Sequence, residues 1–113
     1  MHGFFEIYRL KSKKSIDELF QIGKYKSFGY LRFRYLPQDQ GHLKVVISVS
    51  KRVGNSPERN RLKRLIREAL RLSSCLDQKS YNCGIYVTSP PYQKPTLAQV
   101  QDWIGQFISS LPQ

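Results

Sequence analysis

Acidic residues are scarce in this chain of 113 residues, which has eight Asp and Glu against 19 Lys and Arg. The acids are scattered, and no two of them have the spacing of a two-metal nuclease site. No Ser/His/Asp or paired-His arrangement occurs either. The sequence therefore disfavours a nuclease that uses its own side chains, and we expect no catalytic residue in this chain.

Cysteine and histidine are rare, with two of each. Cys75 and Cys83 do not have a metal-ligand spacing, and His2 and His42 are distant from them in sequence. We therefore expect two reduced thiols, Cys75 on a loop and Cys83 in a strand, rather than a metal site or a disulfide.

Long apolar runs are also missing, and no stretch approaches the length of a membrane span. Residues 1–14 place their apolar side chains before their charges, which is the reverse of a signal peptide. We expect a soluble cytoplasmic protein without a membrane partner. Hydrophobic residues make up 40% of the chain, enough for a single packed domain over residues 1–113.

The scarcity of acids leaves a net charge of +11 and a pI of about 10.0. This balance is typical of domains that bind a polyanion. Nucleic acid is the usual partner, and an anionic membrane surface is the competitor. A membrane-surface module is disfavoured because the basic segment described next lacks bulky aromatic residues at the border of its polar face.

Positive charge is concentrated in residues 51–71, which hold eight of the nineteen cations. The segment predicts a helix over residues 57–72 with a defined start. Ser56 is its predicted cap, Pro57 fits the first helical position, and Glu58 suits the positive end of the helix dipole. At about 100° per residue, five apolar side chains share one face of this helix: Leu62, Leu65, Ile66, Ala69 and Leu70.

A basic row lies next to that apolar face. Its members are Arg59, Asn60, Lys63, Arg64, Arg67 and Arg71. Like charges at the i,i+4 spacing of Arg59, Lys63 and Arg67 cost stability, and an anionic partner would offset that cost. The row is therefore typical of a surface that binds a line of phosphates rather than of a solvated helix face.

Two features of this segment have alternative interpretations. Asn60 is either a surface residue or an amide that accepts from a hydrated metal and donates to a phosphate. Residues 53–56 are either a simple turn, with Gly54 at a positive φ, or a turn with a binding role. In the second interpretation, Lys51, Arg52 and the helix N-terminus face the phosphates that the basic row binds. Both interpretations of the turn are compatible.

The remaining elements follow from periodicity and turn residues. We predict a first helix over residues 15–22, capped by Ser15 with Glu18 and ended by Gly23; strands near Tyr25 and over 30–36, 43–50 and 81–88; and a last helix from the Thr96 cap to Leu111. The order α-β-β-β-α-β-α predicts an α/β sandwich, a four-stranded sheet with helices packed on it. Strands 43–50 and 81–88 form a βαβ unit if they are parallel neighbours.

Strand 30–36 alternates in a way that places Arg32 and Arg34 away from its core face. A charged sheet face beside a helix that carries Phe20 suits single-stranded nucleic acid. Phe20 is equally a candidate for the core, as are Tyr30, Phe33 and Tyr35. Periodicity does not decide between these two roles for Phe20.

The sequence around the basic helix resembles that of a known protein family. Residues 48–71, SVSKRVGNSPERNRLKRLIREALR, resemble the signature of the bacterial ribonuclease P protein component, whose centre is an Arg-Asn-Arg motif, here residues 59–61. Residues 9–11, Phe20 and Gly23 are similar to its first helix, and residues 86–90 to its last strand. Length, charge and element order agree over essentially the whole chain.

The resemblance implies a small α/β fold with a left-handed βαβ crossover, and the role of a protein subunit. In that family a catalytic RNA cuts precursor tRNA to release the 5′ leader, magnesium-type ions serve the RNA's hydrolysis, and no small-molecule substrate is involved. The implied catalytic-RNA-binding residues are Lys51, Arg52, Asn55, Arg59, Asn60, Arg61, Lys63, Arg64, Arg67 and Arg71. The implied leader-binding residues, in a cleft between the first helix and the sheet, are Ile16, Phe20, Arg32 and Arg34, and Asn60 is the metal candidate.

This chain departs from the family at two leader positions. Ile16 stands where the first helix usually carries an aromatic residue, and the central strand lacks its usual aromatic near Arg34. We therefore expect a leader cleft that relies more on charge, with Phe20 as the remaining aromatic of the first helix. The alternative function is a structural RNA-binding protein of ribosomal or assembly-factor type, which composition and the basic row alone do not distinguish.

Overall fold

The computed structural model describes residues 8–73, 76–90 and 93–112, which contain three helices and four strands in the predicted order. The elements are α1 (Lys13–Ile22), β1 (Lys24–Phe28), β2 (Leu31–Pro37), β3 (Lys44–Val49), α2 (Ser56–Arg71), β4 (Tyr81–Val87) and α3 (Leu97–Ser110). A 3-10 turn at Lys51–Val53, which was not predicted, joins β3 to α2. Cys75 lies outside the described residues, so its predicted place on a loop stays a prediction.

The four strands form one sheet in the order β1-β2-β4-β3. β2 is antiparallel to β1 and β4, whereas β3 is parallel to β4, with Val45 opposite Cys83. The predicted βαβ unit of β3, α2 and β4 is therefore confirmed. Its left-handed crossover stays an implication of the resemblance.

The chain before α1 extends the sheet at the free edge of β3. The Val45 N–H donates to the Tyr8 carbonyl at 2.6 Å, and the Leu10 N–H donates to the Val45 carbonyl at 3.0 Å. Arg9 thereby forms a parallel bridge with Val45. This edge contact fixes the point from which the chain enters α1.

Helix α1 begins earlier than predicted, and its predicted cap is wrong. Ser12 caps it, because the Ser12 hydroxyl accepts from the Ser15 N–H at 3.3 Å. The helix therefore starts at Lys13, three residues after Leu10 pairs with Val45 at the sheet edge. Gly23 ends the helix as predicted, and its N–H donates to the Leu19 carbonyl.

Asn55, and not Ser56, caps α2. The Asn55 Oδ1 accepts from the Glu58 N–H at 3.0 Å, and the Glu58 carboxylate accepts from the Asn55 N–H at 3.1 Å. Both Asn and Ser are good caps, but Glu58 stands three residues after Asn55, so only Asn55 can form this reciprocal pair. Gly54 has a φ of 160°, which is extended backbone rather than the left-handed region.

Helices α2 and α3 cover one face of the sheet and enclose the core. Phe33 of β2 is fully buried, and its ring stacks on that of Phe107 of α3 with centroids 4.1 Å apart. Phe33 and Tyr35 are therefore core residues, as the alternation of β2 predicts. Helix α1 lies on the opposite face, where Leu19 is buried against β2 and β4.

Candidate nucleic-acid interface

The basic row predicted on α2 is at the protein surface. Leu62, Ile66, Ala69 and Leu70 are buried beneath the helix, and Leu65 is half-buried. Among the row, Asn60, Arg64, Arg67 and Arg71 are exposed, whereas Arg59 and Lys63 are half-buried. The predicted placement of the row beside the core face is thereby confirmed.

Three arginines of this region have partners within the protein. Arg59 donates to the Gly54 carbonyl at 3.2 Å and to the Ser56 hydroxyl at 3.0 Å, which fastens the turn before α2. Arg61 reaches the Pro95 carbonyl at 3.4 Å. Arg71 pairs with Glu68 through two hydrogen bonds, at 2.8 and 2.5 Å, and this hydrogen bonding lowers the pKa of the Glu68 carboxyl.

The other cations of the row are better placed for an external anion. Within the described residues, Lys63, Arg64 and Arg67 have no hydrogen bond or ion pair to another group. Lys51 and Arg52 are exposed on the 3-10 turn just before α2 and add to the same end of the helix. Asn55 uses its Oδ1 in the cap, so only its amide nitrogen is left for a ligand.

Phe20 is neither fully buried nor free. It is half-buried on the sheet face that carries α1, where its ring meets the Tyr86 ring edge to face at 5.6 Å. Gly84 admits this ring, because a Cβ there would stand 3.0 Å from the Phe20 Cζ. The two aromatic rings therefore form a small half-buried ledge in the middle of the sheet, and Tyr86 was not among the predicted site residues.

A cleft of about 490 Å³ lies between α1 and the edge of β3. Its walls are formed by Arg9, Leu10, Lys11, Ile16, Val45, Val46, Ile47 and Arg67. Ile16 of the predicted leader set thus shares a cleft with Arg67 of the predicted RNA-binding set. The three cations in the walls give the cleft a positive charge, which suits a phosphate chain.

Arg32 and Arg34 lie on the α1 face of the sheet, as predicted, and they meet an aromatic residue there. Arg32 donates to the Tyr25 hydroxyl at 2.6 Å, and the Arg34 guanidinium stands 5.8 Å from the Tyr25 ring centroid. Tyr25 is 47% exposed and opposite Arg34 in the β1–β2 register. It supplies an aromatic side chain near the position where β2 lacks one.

Arg34 also has a structural role. It donates to the Gly23 carbonyl at 3.2 Å, at the negative end of the α1 dipole. Its Nε is buried without a partner among the described residues. Arg32 is therefore the more accessible of the two arginines for a ligand.

The described residues do not gather a metal site of their own. They contain no group of three or more His, Cys, Asp or Glu side chains that could hold a metal ion. Asn60 is exposed and offers one amide oxygen, so the described residues alone do not fit a magnesium site. None of the described helices is long and apolar enough to cross a membrane.

Cys83 is a free thiol buried in β4, as predicted for that residue. Burial raises the pKa of this thiol, which keeps it protonated. It is therefore a packing residue rather than a nucleophile or a metal ligand.

Sequence comparison shows which protein family this chain resembles. The family model for ribonuclease P matches residues 4–111 of the chain. A ribonuclease P protein component from Exiguobacterium sibiricum is 30% identical over 96 residues, which cover 84% of this chain and 82% of that protein. Another, from an Exiguobacterium species, is 43% identical over 65 residues, 58% of this chain, and the chain spans 57% of that relative's length.

Structural comparison points to the same fold. The ribonuclease P protein from Thermotoga maritima superposes with a TM-score of 0.78 at 18% identity, covering 93% of this chain and 98% of that one. The protein from Staphylococcus aureus gives a TM-score of 0.74 at 23% identity, covering 90% and 93%. The predicted α/β sandwich is confirmed.

Proposed function

The chain belongs to the ribonuclease P protein family, and we propose from this premise that it is the protein subunit of an endoribonuclease that matures the 5′ end of tRNA. In this proposal it binds a catalytic RNA and the 5′ leader of precursor tRNA in the cytoplasm. The observation that carries the proposal is the row of cations on α2, which meets the charged cleft beside α1 at Arg67.

The catalytic RNA binds the outward side of α2 and the turn before it. Arg64 is exposed there without a partner among the described residues, and Lys51 and Arg52 continue the positive surface past the helix N-terminus. Arg59 contributes partly by stabilising the turn before α2, because it donates hydrogen bonds to Gly54 and Ser56. A line of phosphates along this surface would replace the repulsion between the cations with attraction.

The leader binds on the α1 face of the sheet. Its phosphates would meet Arg67 at the β3 side and Arg32 at the β2 side, and the Phe20–Tyr86 ledge lies on the face between those strands. A base stacked on this ledge gains affinity without sequence preference, since every base has a π-face. This arrangement suits a substrate whose leader sequence varies.

The cleavage chemistry belongs to the RNA in this proposal. Magnesium ions held by that RNA would supply an activated nucleophile and stabilise developing charge. The described residues of this chain provide no carboxylate cluster for those ions, so the chain's task is to bind and position two RNAs. Asn60 stays a candidate contact to an ion that the RNA holds.

Leader discrimination tests the proposal directly. Phe20→Ala should weaken binding of precursor tRNA by the assembled complex by about tenfold, since one base stack contributes roughly 1–3 kcal/mol. Binding of mature tRNA, which has no leader, should not change. Arg32→Ala should act in the same direction and also reduce the salt dependence of precursor binding. Equilibrium binding to both tRNAs at several salt concentrations measures these effects.

Phe28→Ala is the matched control for Phe20→Ala. Phe28 is also half-buried and also makes an edge-to-face contact, with Phe33 at 6.0 Å, but it lies against the core. Both variants should lose some thermal stability, and only Phe20→Ala should lose leader discrimination. If wild type, Phe20→Ala and Arg32→Ala all prefer precursor tRNA over mature tRNA to the same extent, the leader does not bind this face. That result would favour the alternative of a structural RNA-binding protein.

A further inference from the structure

A second charged cavity, of about 330 Å³, lies where the chain enters α1. Its walls are formed by Arg9, Leu10, Lys11, Ser12, Ser15, Gln38, Gln40, Lys44 and Asn82. It shares Arg9, Leu10 and Lys11 with the cleft beside β3, so the two spaces adjoin along this segment. The leader path proposed on the sheet does not pass through this second cavity.

Asn82 is the unusual residue of this cavity. It is only 4% exposed and is the one buried polar side chain in the described part of the chain. Its Oδ1 has no hydrogen-bond partner among the described residues. A buried acceptor without a partner is unfavourable, and an apolar side chain of similar size would suit this strand better. In the free protein the Asn82 Oδ1 therefore contributes no hydrogen bond among the described residues to the stability of the fold.

The strand geometry directs Asn82 toward the cavity. Its neighbours Tyr81 and Cys83 point into the core, so Asn82 points to the α1 face. In the sheet register it stands opposite Lys44 of β3, whose side chain is on the same face. The unpaired Asn82 Oδ1 and the Lys44 ammonium group therefore lie on the same side of the cavity.

The surroundings of Asn82 favour an anion. Arg9, Lys11 and Lys44 contribute three cations, and none of the lining residues is acidic. The N-terminus of α1 also opens at Ser12, without an acid in its first turn. Its free N–H groups and the helix dipole add to the positive field.

We propose that this cavity binds one nucleotide of single-stranded RNA. The phosphate lies by Arg9 and Lys44, and a ribose hydroxyl or a base N–H donates a hydrogen bond to the Asn82 Oδ1. A phosphodiester has acceptors only, so the cations alone would fit a phosphate, but the Asn82 oxygen requires the donor that a sugar or base supplies. Because the cavity adjoins the leader cleft along residues 9–11, the nucleotide is one from the leader, next to those on the sheet; this identification rests on the proposed function.

The substitution Asn82→Val separates a ligand contact from a structural role. It removes the unpaired polar atom, so the melting temperature should stay the same or rise. The affinity of the assembled complex for precursor tRNA with a long leader should fall about three- to tenfold, the effect of one lost hydrogen bond. Lys44→Gln should lower the same affinity and its salt dependence, whereas Lys24→Gln, the same charge change on the exposed outer strand β1, should alter neither.

Leaders shortened one nucleotide at a time identify the occupant. Below a certain length, wild type and Asn82→Val should bind equally, and mature tRNA should never distinguish them. A loss that persists with mature tRNA, or that occurs in binding the catalytic RNA alone, would assign the cavity to the catalytic RNA and overturn the leader assignment. Undiminished affinity of both variants for every RNA would overturn the nucleotide site. If the wild-type complex binds precursor and mature tRNA with equal affinity, the proposed function fails. That result is distinguishable from a failure of the Asn82 site alone.

Discussion

Arg64→Glu is expected to weaken binding of the catalytic RNA on the order of 100-fold, through one lost charge-assisted contact and the repulsion of the new carboxylate. Arg64 is exposed in the middle of the basic row and has no partner among the described residues, so its whole charge is available to a phosphate. The slope of log affinity against log salt should become shallower by about one unit. A salt series with the isolated catalytic RNA measures both effects.

Lys24→Glu is the control for this prediction. It makes the same change in net charge at an exposed residue of β1, away from α2. Both variants should keep the melting temperature of the wild type, because neither side chain is buried. Equal losses of RNA affinity in the two variants would mean that overall charge, and not the α2 surface, binds the RNA.

Phe33→Ala is expected to cost about 3–5 kcal/mol of unfolding free energy, the range for removing a buried phenylalanine. The Phe33 ring is completely buried, stacks on Phe107 and meets Phe28 edge to face, so its loss leaves a cavity in the centre of the core. Small domains have only about 5–15 kcal/mol of stability in total. The variant should therefore unfold at a much lower denaturant concentration.

Phe33→Leu should recover most of this stability, because it restores most of the lost volume. Denaturant titrations of the three proteins, followed by circular dichroism, give the comparison. A loss under about 1 kcal/mol for Phe33→Ala would show that the ring is not packed as described, since such a value is typical of exposed positions.

The features that the sequence predicted well are those with a local cause. The helical period alone places Arg64 and Arg67 beside a buried face, and the strand period alone separates Arg32 from Phe33. For these features, neighbouring residues in the chain already determine the geometry. The parallel pairing of β3 and β4 was only a condition of the predicted βαβ unit, and the structure supplies it.

The errors at the helix caps arose from choices between equivalent residues. Asn55 and Ser56 are both good caps, and the position of Glu58 decides between them. Ser12, and not Ser15, caps α1. The first choice could have been made from the sequence by testing the spacing to Glu58, whereas the same test favours Ser15, which stands three residues before Glu18, over the observed Ser12.

The missed site residues all depend on contacts that are distant in sequence. Tyr25 meets Arg34 only because of the β1–β2 register, and Tyr86 meets Phe20 only because α1 crosses β4. Arg9 joins the cleft through its pairing with Val45. The sequence predicted a charged site between the first helix and the sheet, but not that Tyr25 lies beside Arg34 or Tyr86 beside Phe20.

Cleavage of precursor tRNA at low magnesium shows whether this chain assists an RNA enzyme. The protein is mixed with a bacterial ribonuclease P RNA, and the release of the 5′ leader is followed with each component alone and with both together. We expect the protein alone to be inactive and the mixture to cut faster than the RNA alone, with Arg64→Glu removing the stimulation. No stimulation by the folded wild-type protein would exclude this role, and so would cleavage by RNA-free protein at a rate that one side-chain substitution abolishes.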